Sequence, residues 1–240
     1  MARYTGPRHK ACRRARTPLC QSKKCPVDTR PYPPGEHGRG RIRESDYLIQ
    51  LREKQKLRTM YGVLEKQFRR YYELSDRQPG ITGDNLLRLL ESRLDNVMWR
   101  SGLAATRPQG RQLVNHGHFQ VNGKKVDIPS YRVRANDVVT VKEKSKDLVA
   151  IQHSIESLSH PIPDWLSVDH DARKVEIRDL PRRDQIDTAI NIQLIEQINQ
   201  VFSGDIAPGA PGKRTAAQSA GRAIKNPYTG LKPGHHIGHR

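Results

Sequence analysis

Long apolar runs are missing from this sequence. No stretch of about 18 hydrophobic residues occurs, so nothing in it reads as a bilayer span. The opening MARYTGPRHK lacks the apolar centre of a secretory signal, and its Gly-Pro break suits the amphipathic helix of a mitochondrial transit peptide badly. Hydrophobic residues reach only 35% and aromatics 5%, so small cores are expected. Acid is scarce too: 25 Asp and Glu face 43 Lys and Arg, a formal net charge of +18 that calls for a polyanion partner. With no membrane segment, nucleic acid leads over an anionic membrane. Internal repeats are absent, as is any Asp-centred or Gly-rich active-site motif, so the chain is not expected to be an enzyme.

The charge is unevenly spread. Residues 1–60 carry 16 Lys/Arg against 5 Asp/Glu, whereas residues 161–202 carry 5 against 8. The polyanion face is therefore expected toward the N-terminus and middle, and the acidic stretch toward solvent or a basic protein neighbour. Residues 1–43, closing with RPYPPGEHGRGR, read as an extended basic arm because Pro31, Pro33, Pro34 and three glycines oppose regular structure. Residues 44–90 read as a helical domain, with Ser45 as N-cap of a helix that stops at Gly62 and a second helix in LEKQFRRYYELSD. From Thr82 or Asp84, Leu86, Leu87, Leu90, Leu94, Val97 and Met98 recur at helical intervals up to Gly102, which predicts one long helix. Thr106 caps a short helix closed by Gly117, FQVNGKKV reads as strand, Asn-Gly turn and strand, and DVVTVKEK as another strand. DLVAIQHSIESL and IQLIEQINQVF are expected helices, WLSVDHDARKVEIRDLP two strands, and residues 203–240 a disordered basic Gly/Pro tail.

One short window, HKACRRARTPLCQSKKC, holds all three cysteines. An odd count in a chain without an export signal argues against a disulfide framework, and a catalytic thiol would need a partner placed by a pocket. A metal knot fits better: His9-x2-Cys12 and Cys20-x4-Cys25 supply one imidazole and three thiolates, a common tetrahedral Zn2+ set. Three reduced cysteines without a ligand are the alternative. A second cluster lies in the middle, where Arg93, Arg107, Arg111, Gln112, His116, His118, Asn122, Lys124 and Lys125 alternate with packing residues. Such a surface can grip phosphate and sugar while the apolar residues hold it in shape.

These residues carry a resemblance. GPRHKAC, RPYPPGEHGRGR, LREKQKLR, LLESRLDNV and RQLVNHGHFQVNGKKVDIPSYRV, in order, resemble the bacterial small-subunit ribosomal protein S4 family, from Met1 to about Phe202. The resemblance implies an α+β fold: an N-terminal zinc-knot arm and helical domain, with an inserted RNA-binding module at residues 91–157 made of a helical hairpin and a small antiparallel sheet. Residues 158–202 would then be strands and a helix packing back on the helical domain. It implies a structural constituent of the small subunit that binds 16S-type rRNA early in assembly, contacts ribosomal protein S5, influences decoding accuracy and lies near mRNA where it enters the subunit. Such a protein is cytoplasmic, ribosome-bound and not an obligate homo-oligomer. The RNA-contacting set extends to Arg3, Tyr4, Arg39 and Arg41 in the arm, Lys54, Lys56 and Arg58 in the first long helix, and Gln109 and Arg132 in the module. In the family's zinc-type arm His9 stands where a first cysteine would be, and Gly110 falls where a better helix former is usual, implying a locally weakened helix. The competing reading is an RNA-modifying or regulatory protein that borrows the same module. His236-Ile237-Gly238-His239 spells a tRNA synthetase signature, but a chain that ends one residue later leaves nothing to build the nucleotide-binding fold it serves.

Overall fold

RHKACRRA contains no glycine, proline or β-branched residue, and it coils. In the computed structural model, which describes residues 3–20, 24–40, 43–158, 160–186 and 190–203, helix α1 (Arg8–Ala15) follows Pro7 and ends where Arg16 turns left-handed at φ 53°. The arm is thus not wholly extended as its prolines suggest: Cys12 and Ala15 bury against Leu19 and Val27, enough to fix two turns of helix. The chain continues through α2 (Asp46–Met60), α3 (Glu65–Asp76), α4 (Thr82–Glu91), α5 (Leu94–Arg100), α6 (Arg107–Asn115), strands β1 (Phe119–Val121), β2 (Lys124–Lys125) and β3 (Val138–Val141), α7 (Val149–Glu156), β4 (Leu166–Asp169), β5 (Lys174–Ile177) and α8 (Ile192–Ser203). Arg41, the 204–240 segment and the HIGH sequence lie outside the described residues.

Capping follows the sequence. The Ser45 hydroxyl accepts from Leu48 N at the start of α2, and Thr106 accepts from Gln109 N at the start of α6. Asn122 (φ 49°) and Gly123 (φ 78°) make the tight turn between β1 and β2. The five strands form one antiparallel sheet in the order β2-β1-β3-β5-β4. The β4–β5 pair therefore does not pack on the helical domain: Val139 of β3 registers with Val175 of β5, which extends the sheet begun by β1. Alternating Val139, Val141, Val175 and Ile177 point inward beside Phe119 and Val121, so the two hairpins share one apolar face.

The stripe running from Leu86 to Met98 is long enough for one helix, yet the chain divides it. Arg93 is extended (φ −73°, ψ 137°) and bridges to Arg132, while Leu94 N donates to the Tyr131 carbonyl and Val133 N to that of Ser92. The break lets one run serve two cores. Leu86, Leu87 and Leu90 pack with Leu57, Phe68 and Ile195, whereas Leu94, Val97 and Met98 pack with Phe119, Val139 and Ile151. Helical periodicity reports a buried face but not which core covers it.

Charged side chains fill the joint. Arg100 donates to both oxygens of the Glu91 carboxylate (2.8 and 3.0 Å), and Asn96 donates to it at 2.6 Å, as does the Tyr61 hydroxyl. Arg93 grips Asp95 through two bonds (3.0 and 2.6 Å) and donates to the Tyr71 hydroxyl of α3 at 2.7 Å. Burial by itself would push the Glu91 carboxyl up, but the Arg100 fork and the Arg107 charge hold it below its ordinary value. Close packing completes the joint: a Cβ on Gly110 would sit 2.7 Å from the Asp95 carbonyl oxygen, so Gly110 lets α6 approach α5 where a better helix former would clash.

Gly110→Ala should destabilise the fold by about 1–3 kcal/mol in urea unfolding, because backbone must move. Helix propensity alone would have the same change stabilise by roughly 1 kcal/mol. Glu91→Gln should cost about 3–5 kcal/mol by leaving Arg100 buried without its carboxylate. Because the folded value of Glu91 is lowered, its contribution is present above the ordinary glutamate value and lost as pH falls through the lower folded one. Acid unfolding of Glu91→Gln should lack that part of the pH dependence.

Candidate metal centre and nucleic-acid interface

Helix α1 places His9 and Cys12 three residues apart, on one side. The chain then doubles back, with Thr17 N donating to the Cys12 carbonyl, and brings Cys20 and Cys25 to the same spot. One ligand atom from each of His9, Cys12, Cys20 and Cys25 lies within 4.8 Å of the others, with Cys20 Sγ 3.8 Å from His9 Nδ1. Ligands at tetrahedral metal distances are separated by roughly 3.5–3.8 Å, so these atoms need to draw in by about 1 Å at most. Burial, the Cys20 hydrogen bond and the neighbouring sulfurs push the Cys12 thiol up to about 12, and burial first raises Cys25 as well. A divalent ion reverses this logic, since its charge stabilises the thiolates that otherwise repel one another. The four residues fit a metal ion, and the site's apolar backing is Ala15, Leu19, Val27 and Met60.

The cations expected to meet nucleic acid divide into two groups. Lys54, at 1% exposure, is paired with Glu65, and Arg93, also at 1%, is consumed by Asp95 and Tyr71. Arg107 is buried as well, stacked 3.8 Å from the Trp99 ring centre with its Nε on Asn96 (2.7 Å), and Gln109 bonds to Ala150 and Ser154. These four hold protein to protein, which corrects their expected place on an RNA-facing surface. Lys56 pairs with Glu53, Arg58 with Glu65 at 3.4 Å, and Arg39 donates to the Tyr32 hydroxyl, all short of full burial. Arg111 lies mostly buried, with Nη1 on the Gly62 carbonyl. Arg3, Tyr4, Gln112, His116, Lys124, Lys125 and Arg132 are exposed. Asn122 ties its turn to Asp137 (2.9 Å), and His118, partly buried, meets Ser145 at 2.9 Å.

One basic surface escaped the sequence reading. In α3, Phe68, Tyr71 and Ser75 point into the core while Lys66, Arg69 and Arg70 stay exposed. With Arg93 and Arg111 they line a cleft of about 610 Å³. The signal was available, because Lys66 and Arg70 are one helical turn apart and out of phase with the apolar stripe.

Comparison with known proteins decides what these parts belong to. A family model described as ribosomal protein S4/S9 N-terminal domain matches residues 3–91, and one described as S4 domain matches residues 92–139. "Small ribosomal subunit protein uS4" of Acidothermus cellulolyticus is 56% identical over 203 residues, covering 81% of this chain and 97% of that protein. Those of Cutibacterium acnes (57% over 199 residues) and Mycolicibacterium smegmatis (56% over 199) each cover 82% of this chain and 98% of their own. The chain belongs to the uS4 family. The two family models meet between residues 91 and 92, where α4 gives way to the extended link before α5. The link between the two cores is thus also the seam between two sequence units. No helix among the described residues is long and apolar enough to cross a membrane.

For the metal centre, chain purified without chelator should carry about one equivalent of divalent metal by elemental analysis. Cys12→Ser and Cys20→Ser should each lose it. Metal retained by both variants would place the binding elsewhere.

Proposed function

We propose that this chain is a structural constituent of the small ribosomal subunit, located with it in the cytoplasm, and that it binds small-subunit rRNA directly and early in assembly. One observation carries the reading: relatives named small ribosomal subunit protein uS4 match it at 56–57% identity over 97–98% of their own length. The RNA-facing surface is taken to be the β1–β2 turn with Lys124 and Lys125, the neighbouring Gln112, His116, His118, Asn122 and Arg132, the α3 cations, and Arg3, Tyr4, Arg39, Lys56 and Arg58. Exposed cations on a rigid frame neutralise phosphates and release counterions, which suits a folded RNA whose shape rather than sequence is read. The metal at His9, Cys12, Cys20 and Cys25 is taken to be Zn2+ in a structural role, since a closed set of one imidazole and three thiolates leaves no open position for chemistry. Acidic residues of the β4–β5 region, among them Asp169, Glu176 and Asp179, are exposed and suit a basic protein neighbour. By resemblance that neighbour is ribosomal protein S5, and mRNA passes nearby where it enters the subunit.

In cell lysate the chain should sediment with small subunits, and recovery only in the soluble pool would count against the reading. Replacing Lys124 and Lys125 together by Gln should weaken binding to small-subunit rRNA and reduce the slope of log affinity against log salt by about 2. The same change at Lys232 and Arg240 should do less.

A further inference from the structure

A second concavity lies where the arm, α2 and the start of α6 face one another, a cleft of about 940 Å³. Its size excludes a duplex but admits a single small ligand. Leu48, Leu51, Val63 and Leu64 make part of its wall apolar. Its other side is cationic: Arg3, Arg8, Lys10 and Arg14 line it from the arm, all four exposed and without an ion pair among the described residues. Asp95 is the one carboxylate among the described residues of the lining, and Arg93 already holds both of its oxygens.

At the mouth stands Tyr4, 58% exposed. Its ring is not loose. A Cβ on Gly6 would fall 2.5 Å from the Tyr4 hydroxyl oxygen and 2.6 Å from Cζ, so the ring lies directly over the glycine backbone, and the hydroxyl reaches the Pro7 carbonyl at 3.5 Å. One aromatic face is thereby backed by the chain while more than half of the residue stays open. An aromatic face beside an apolar wall and a cationic rim matches the three parts of a nucleotide: a flat base, a sugar and a phosphate. The chain's own segment 204–240, with six Lys/Arg against one Asp, carries the wrong sign to fill such a rim.

The geometry points to a pocket for one unpaired nucleotide of the bound RNA, its base stacked on Tyr4 and its phosphate on the arginines of the arm. This rests on the rRNA-binding reading and adds a discrete base-stacking site to it. Gly6 is a positioning residue, acting through the ring it carries.

The test uses the full chain with its tyrosine rings isotopically labelled, the Tyr4 resonances being assigned by their loss in Tyr4→Phe. Adenosine monophosphate should shift those resonances, and ribose 5-phosphate should leave them in place. Equal shifts from the two would mean that the cleft reads phosphate alone and would overturn the pocket. In parallel, Tyr4→Ala should weaken binding to small-subunit rRNA about tenfold, Tyr4→Phe by no more than about twofold, and Gly6→Val about as much as Tyr4→Ala. Wild-type affinity in Tyr4→Ala would overturn the pocket while leaving rRNA binding intact. A wild-type chain that ignores the rRNA would bring down the functional reading itself, and the pocket with it.

Discussion

Glu91, held by Arg100, Asn96 and Tyr61 beneath the Arg107 guanidinium, is the contact on which the rest of the architecture depends. Two apolar cores meet at the extended link after α4, and charged forks with fixed geometry join them there. Arg93 reaches from the link to Asp95 on one side and to Tyr71 of α3 on the other, so the helical domain and the inserted module share one buried set of hydrogen bonds. Such clusters add little net stability compared with an apolar replacement, but they penalise any arrangement that leaves a charge unpaired. Fixed separation between two binding surfaces is what recognition of a folded RNA by its shape requires.

Arginine and lysine consequently do two jobs here. Buried ones substitute for the oily side chains that the composition withholds, with Arg107 stacked on Trp99 and Lys54 pinned to Glu65. Exposed ones, on the β1–β2 turn, on α3 and along the arm, leave a surplus of positive charge at the surface. The arm is stabilised differently again. Its own apolar residues are few, and the convergence of His9 with three cysteines gives it a place where a metal ion can supply what a core does not.

Much of the fold was legible. Ser45 and Thr106 announced helix starts, Asn122-Gly123 a turn, and the alternating valines a sheet, because capping and turn geometry are local and depend on residues close in sequence. The grouping of His9 with the three cysteines was legible for the same reason: four residues within a window of seventeen can be read by spacing. The division of the Leu86–Met98 stripe was not, since the break at Arg93 is made by Tyr131 and Val133, some forty residues away. Nor was the destination of the β4–β5 hairpin, whose pairing with β3 depends on register between distant strands.

By itself the sequence determined the charge, the composition of the His/Cys cluster, the kind of most elements and the resemblance to the uS4 family. The tertiary structure decided which cations face outward. Arg93 and Lys124 are equally basic on paper, and only packing shows that one is sealed against Asp95 while the other stands in solvent. The same holds for Gly110, a weak helix residue by propensity, whose value appears once the Asp95 carbonyl is found pressed against it. Charge and propensity belong to a residue and its neighbours in the chain, whereas burial belongs to whatever the fold brings alongside.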